Sequence, residues 1–194
     1  MNRVRVAVLI SGRGSNMGAL IEASRAPDSP YEVAVVVASR EDAEGLERAR
    51  GFGVEAVAVA SRPFAGDREA HERAVDAALR ARNIDLIALA GWMRLLTPWF
   101  VRVWEGRMLN IHPSLLPKHP GLNTHARALE AGDATAGCTV HLVTEGMDEG
   151  PILAQAEVPV LAGDTPDVLA ARVLEAEHRI YPQALAAVAE RLRG

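Results

Sequence analysis

Apolar and polar positions alternate along this chain in two rhythms. Short β-branched runs read as buried strands, and longer stretches repeat at the helical period. Residues 4–10, 33–38, 54–59 and 84–90 are apolar runs of the first kind, the sort found in strands covered on both faces. Between them, residues 16–24 place Met17, Leu20 and Ile21 on one face. Residues 41–50 turn Leu46 and Ala49 inward, and Gly51 or Gly53 ends that helix. Residues 67–81 repeat Ala70, Ala74, Val75, Ala78 and Leu79 at the helical period. Strands separated by helices imply right-handed crossovers, hence an α/β, doubly wound, mostly parallel sheet with helices on both faces.

The second half changes character. Residues 99–104 predict a short helix after Pro98, 107–111 a fifth strand, and 125–131 another short helix. Residues 138–143 alternate, with Thr139, His141 and Val143 on one side. Residues 152–160 form a further strand, and the two are close enough in sequence to pair antiparallel or as a hairpin. Residues 166–192 read as one long final helix with a break near Tyr181–Pro182. Residues 104–106 mark a lobe boundary within a single domain, since composition does not shift there.

Composition narrows the function. With 194 residues, 21 basic and 25 acidic side chains and a net charge of −4, the chain lacks the basic excess of a nucleic-acid binder. Its lone cysteine, Cys138, excludes an internal disulfide, and as the opening residue of a strand it reads as core rather than nucleophile. The first apolar run is too short to span a membrane, which points to a cytoplasmic protein. Of the basic residues only Lys118 is a lysine.

Chemistry concentrates in two places. The first strand runs into Ser11-Gly12-Arg13-Gly14-Ser15-Asn16 and a helix. Glycines there permit a tight turn, and the amides of the helix start face an anion. Ser15 and Asn16 either donate to it or cap the helix. Gly12 and Gly14 fit a dinucleotide fingerprint, but its third glycine position holds Met17. Strand two ends at Ser39-Arg40 without a ribose-binding acid. A small phosphate monoester therefore fits better than NAD or NADP. In Leu109-Asn110-Ile111-His112-Pro113, Asn110 and His112 project to one side at a strand's carboxyl end, where open α/β sheets hold ligands. Asn110 suits a developing oxyanion, and His112 can donate or exchange a proton. Pro113, Pro117 and Pro120 stiffen the loop beyond. Asp148 lies between Gly146 and Gly150, and a carboxylate near a histidine favours the imidazolium.

Ser-Gly-Arg-Gly-Ser-Asn, Leu-Asn-Ile-His-Pro-Ser-Leu-Leu-Pro and Met-Asp-Glu-Gly-Pro-Ile-Leu together resemble the phosphoribosylglycinamide formyltransferase family, the folate-dependent enzymes of purine biosynthesis. Ala90-Gly91-Trp92-Met93-Arg94 and Glu177-His178-Arg179-Ile180-Tyr181-Pro182 extend the match over essentially the whole chain, in the short monofunctional bacterial form. The resemblance implies a Rossmann-like formyltransferase fold with an antiparallel C-terminal addition. It implies transfer of a formyl group from 10-formyltetrahydrofolate, as co-substrate, to the amine of glycinamide ribonucleotide, without a metal. By that match Asn110, His112 and Asp148 are catalytic. Gly14, Ser15, Asn16, Arg68, Gly91, Met93, Pro113 and Glu177 hold the ribonucleotide: the glycine turn takes its phosphate and Glu177 its ribose. Arg94, Leu95, Leu96, Val101, Val143 and Thr144 line the pterin pocket. A phosphate-binding lobe of about 1–104 and a catalytic, folate-binding lobe of about 105–194 follow, in a monomer or homodimer without nucleic-acid or membrane partners. The family also implies a cis bond before Pro117. The chain departs from the family at Asn123, where a histidine is frequent, at Trp92, where phenylalanine is common, and at Arg13 in the phosphate turn.

Other readings explain less. Another formyltetrahydrofolate-dependent transferase or a formyltetrahydrofolate hydrolase shares the central motif but carries further domains. A non-catalytic nucleotide-binding module accounts for the glycine turn and leaves Asn110, His112 and Asp148 without a purpose. The six histidines lack metal-ligand spacing, and G-x-S-x-G is absent.

Overall fold

A computed structural model describes residues 3–194. One seven-stranded sheet runs through it in the order β3-β2-β1-β4-β5-β6-β7. The strands are β1 (Val4–Ile10), β2 (Tyr31–Ala38), β3 (Glu55–Ala58), β4 (Leu86–Leu89), β5 (Met108–His112), β6 (Thr135–Leu142) and β7 (Ile152–Pro159). Strands β1 to β5 pair parallel, whereas β5–β6 and β6–β7 are antiparallel. The chain reverses its winding beside β1, between β1 and β4, which is the switch point where doubly wound sheets open a crevice.

The alternation within β1 divides the core. Val4, Val6, Val8 and Ile10 face α1 (Ser15–Ser24), α2 (Glu44–Gly51) and α6 (Pro166–Arg193). Ala7 and Leu9 face α3 (Arg68–Arg80) and α4 (Pro98–Val103). Ala128 of α5 (Thr124–Glu130) joins the first face. Helices α3 and α6 start at side-chain caps: Asp67 accepts from the Ala70 amide at 2.9 Å, and Thr165 from the Val168 amide at 3.3 Å. Cys138 is fully buried in this core, and burial pushes its thiol up to about 12, which rules out an ionised nucleophile at neutral pH.

Two expectations need correcting. Helix α2 begins at Glu44, not near residue 41, because Ala43 is extended and Arg40 closes on Asp42 at 2.7 Å. Gly45 then donates to the Gly12 carbonyl at 3.0 Å. A Cβ there would lie 2.4 Å from Ile10 Cδ1, so glycine lets α2 abut the first turn. Helix α6 does not break at Pro182. Proline removes one backbone bond at a cost of about 3 kcal/mol. Tyr181, Leu185 and Val188 are buried on either side, each burial stabilising by about 1.5–3 kcal/mol, so the helix continues. The Tyr181 hydroxyl also donates to the Leu89 carbonyl at 2.9 Å, pinning α6 to the end of β4.

Candidate active site

At the carboxyl ends of the parallel strands lie two cavities. The first, about 580 Å³, is walled by the glycine turn: Gly12, Arg13, Gly14, Ser15 and Asn16, with Gly91 and Met93 opposite. Gly14 precedes α1 at φ +62, a left-handed conformation that glycine adopts without cost, and this turns the helix amides toward the cavity. Ser11 ties the walls together. Its amide donates to the Gly91 carbonyl at 3.0 Å, and its hydroxyl accepts from the Met93 amide at 2.9 Å. Arg40 reaches this space with its guanidinium already paired to Asp42.

The Asn16 side chain is occupied. Its amide donates to Glu177 Oε2 at 2.6 Å, and its buried Oδ1 has no partner among the described residues. Toward an anion in the turn it therefore offers its backbone rather than its side chain. Burial pushes the Glu177 carboxyl up, against the smaller lowering by Asn16. Glu177 and Pro113, both expected at the ribonucleotide, are not among the walls of this cavity.

The second cavity, about 340 Å³, has an apolar wall of Trp92, Leu95, Leu96, Val101 and Val143 and a polar floor of Asn110, His141 and Asp148. All six residues expected at the pterin line it: Arg94, Leu95, Leu96, Val101, Val143 and Thr144. Arg68, expected at the ribonucleotide, lines this cavity instead, because α3 starts on the face of the sheet opposite α1. Arg94 borders both cavities and donates to the Ser61 hydroxyl at 2.8 Å. The walls come from either side of residues 104–106, so this cavity belongs to neither lobe alone.

Beside that floor, Asn110 and His112 sit two positions apart on β5 and face the same side. His112 Nδ1 is 3.5 Å from Asp148 Oδ2. Its Nε2 lies 3.0 Å from the His119 carbonyl, which can only accept, so Nε2 carries a hydrogen and Nδ1 is the nitrogen that faces Asp148. Asp148 adopts φ +55, a left-handed geometry that aspartate tolerates, and its Oδ2 accepts from the Gly121 amide at 2.9 Å. The 113–121 loop thereby braces both residues. Thr139, opposite His112 on β6, fastens the loop's other end: its hydroxyl donates to the Ser114 carbonyl at 2.7 Å and accepts from the Leu116 amide at 3.0 Å. The Leu116–Pro117 bond is cis. Asn123 caps α5 at φ +56 and Arg13 is exposed beside Glu44; neither touches this cluster.

Sequence reasoning gave no role to His141. It lies directly across from Asn110 in the β5–β6 register, with Nε2 3.3 Å from the Asn110 amide nitrogen and 3.7 Å from Asp148 Oδ1. Burial lowers its pKa, outweighing the opposing pull of Asp148. The signal was the alternation of β6 itself, once its pairing partner was known.

A larger hollow of about 1,240 Å³ opens at the other end of the sheet, near Arg3, Asp85, Arg107 and Glu190. Its charges serve the fold: Arg3 donates to the Ser24 carbonyl, Arg107 to the Val103 carbonyl, and Asp85 accepts from the Arg5 amide. Among the described residues, no group of three or more His, Cys, Asp or Glu is placed to hold a metal, and no helix is long and apolar enough to cross a membrane.

A family model described as formyl transferase matches residues 4–185. Phosphoribosylglycinamide formyltransferase of Escherichia coli (strain K12) is 47% identical over 179 residues, covering 92% of this chain and 84% of that protein. The trifunctional purine biosynthetic protein adenosine-3 of Drosophila melanogaster is 48% identical over 95% of this chain, which spans only 14% of that longer protein. Among solved structures, phosphoribosylglycinamide formyltransferase from Brucella melitensis superposes with a TM-score of 0.93 at 56% identity, over 97% of this chain and 96% of that one.

Proposed function

The chain belongs to the formyl transferase family, among the phosphoribosylglycinamide formyltransferases, and from that premise we propose that it moves the formyl group of 10-formyltetrahydrofolate to the amine of glycinamide ribonucleotide. The products are formylglycinamide ribonucleotide and tetrahydrofolate, in de novo purine synthesis. The observation that carries this reading is the pairing of a glycine-walled cavity with an apolar one that share Arg94, the second floored by Asn110 and Asp148.

Formyl transfer requires a nucleophilic amine, a place for negative charge on the formyl oxygen, and a proton for the departing nitrogen. The first cavity supplies helix-start amides for a phosphate, which hold the ribonucleotide by one end. The second supplies an apolar wall together with the polar side chains of Arg94 and Thr144, a lining suited to a pterin. Asn110 faces the reacting carbon, and its amide N–H stabilises the oxyanion. His112 contributes from Nδ1, since its Nε2–H is committed to the His119 carbonyl. Asp148, across from Nδ1, orients the ring and places a carboxylate beside that nitrogen. The amine's proton leaves through this pair or a water beside it and returns to the folate nitrogen, so the step consumes no net proton at the enzyme. Arg68, lining the second cavity, serves the folate. The protein works in the cytoplasm as a monomer or homodimer and takes no nucleic-acid partner, the last supported by the acidic balance of the chain.

The test is loss of 10-formyltetrahydrofolate followed spectroscopically, with and without glycinamide ribonucleotide. Turnover that requires the ribonucleotide is the expected result. Turnover without it identifies a hydrolase, and folate binding without turnover identifies another acceptor.

A further inference from the structure

We propose that His141 is a positioning residue that fixes which end of the Asn110 amide faces the reacting carbon. His141 and Asn110 oppose each other across the antiparallel β5–β6 pair, where side chains on one face meet. His141 Nδ1 lies 3.0 Å from the Leu142 carbonyl. A carbonyl only accepts, so Nδ1 bears the hydrogen and the neutral ring presents a lone pair at Nε2. That lone pair is 3.3 Å from the Asn110 nitrogen, and only the amide NH₂ can satisfy it. A flipped Asn110 would set its oxygen against the same lone pair. One N–H of Asn110 is thus spent on His141, and the other is left to point at the site.

Burial maintains this arrangement. The His141 side chain is 4% exposed, and the charged groups facing it are Asp148, 3.7 Å from Nε2, and His112 on β5. Asp148 favours a proton on His141 and His112 disfavours it, while burial sides with the neutral ring. A protonated Nε2 would confront the NH₂ donor to donor and turn the amide over.

The kinetic part of this inference rests on the proposed formyl transfer; the tautomer does not. Nitrogen-15 NMR of the imidazoles at pH 8, assigned by the signal lost in His141→Gln, should show a protonated Nδ1 and an unprotonated Nε2. A protonated Nε2 overturns the proposal, whatever reaction the enzyme performs. In the kinetic arm, His141→Phe removes the acceptor, whereas His141→Gln places an amide oxygen near the former Nε2. His141→Phe should lower kcat by about 10- to 100-fold, less than the ~10²–10³ of deleting an oxyanion donor, with KM for both substrates within about twofold. His141→Gln should recover most of that loss. His141→Phe should also add little to Asn110→Ala, because both remove one interaction. Full activity in His141→Phe, equal losses in Phe and Gln, or losses that multiply with Asn110→Ala contradict it. Wild-type protein that fails to transfer formyl overturns the function and leaves the NMR result to decide the role of His141. If His141→Phe does not fold, His141→Gln and the tautomer decide the matter.

Discussion

The parallel and antiparallel halves of the sheet build the site by different means. Strands β1 and β4, apolar but for Arg5, contribute where they end, through turns at Gly14 and Gly91 whose residues line the first cavity. Strands β5 and β6 carry Asn110, His112, Thr139 and His141 within their length, and one face of an antiparallel pair brings those side chains together. A buried parallel strand has no solvent face on which to keep polar side chains, so its chemistry moves to the loops. The antiparallel pair can keep a polar stripe, and it does so beside the loop that carries Asp148. The division implies binding by backbone and catalysis by side chain.

That division can be broken in order of expected effect. Asp148→Asn leaves the shape and removes the charge opposite His112 Nδ1; kcat should fall by about 10³-fold with little change in ribonucleotide KM, as steady-state kinetics would show. Gly137→Ala strikes the pairing of the antiparallel half, since a Cβ there would lie 2.0 Å from the Ala156 carbonyl oxygen. A loss of about 3 kcal/mol in denaturant unfolding is expected, and an unchanged midpoint would mean that β6 and β7 separate freely. Gly14→Ala strains the φ +62 turn and sets a Cβ 3.3 Å from Met17. It should cost about 1–2 kcal/mol of stability and raise the ribonucleotide KM while sparing kcat at saturation.

The smallest effect is on pH. Burial lowers the pKa of His71 in the parallel half and of His125 and His141 in the antiparallel half. Each takes up a proton more readily when unfolded. The stability from burying the neutral rings is therefore complete above about pH 6.5 and declines as pH falls below it. Thermal melts between pH 8 and 5.5 should show that decline, with a shallower slope in His141→Gln.

How much of this was legible differs between the halves for the same reason. The parallel strands announce themselves, because a run such as Val4–Ile10 has few alternatives in a chain of this length. The glycine turn and the Asn-x-His motif are local, so their residues were named from the sequence. Whatever depends on register was not legible. His141 becomes a partner of Asn110 only when β6 is known to run antiparallel to β5 at that offset. Arg68, expected at the ribonucleotide, lines the second cavity and not the first, because its place depends on which face of the sheet α3 covers. Pro182 read as a break because proline's local cost is visible in sequence, whereas the burial of Tyr181 and Leu185 that outweighs it is not. The Asn16–Glu177 bond joins residues 161 positions apart, and neither side chain alone hints at it.

The most direct test of the division is calorimetric titration of glycinamide ribonucleotide into His112→Ala, a variant that removes the ring and leaves the glycine turn intact. The account predicts a Kd within about threefold of wild type, in a protein whose formyl transfer has fallen by ~10²-fold or more. A variant that no longer binds the ribonucleotide, or one that binds it and still transfers at the wild-type rate, would contradict the separation of backbone binding from side-chain catalysis.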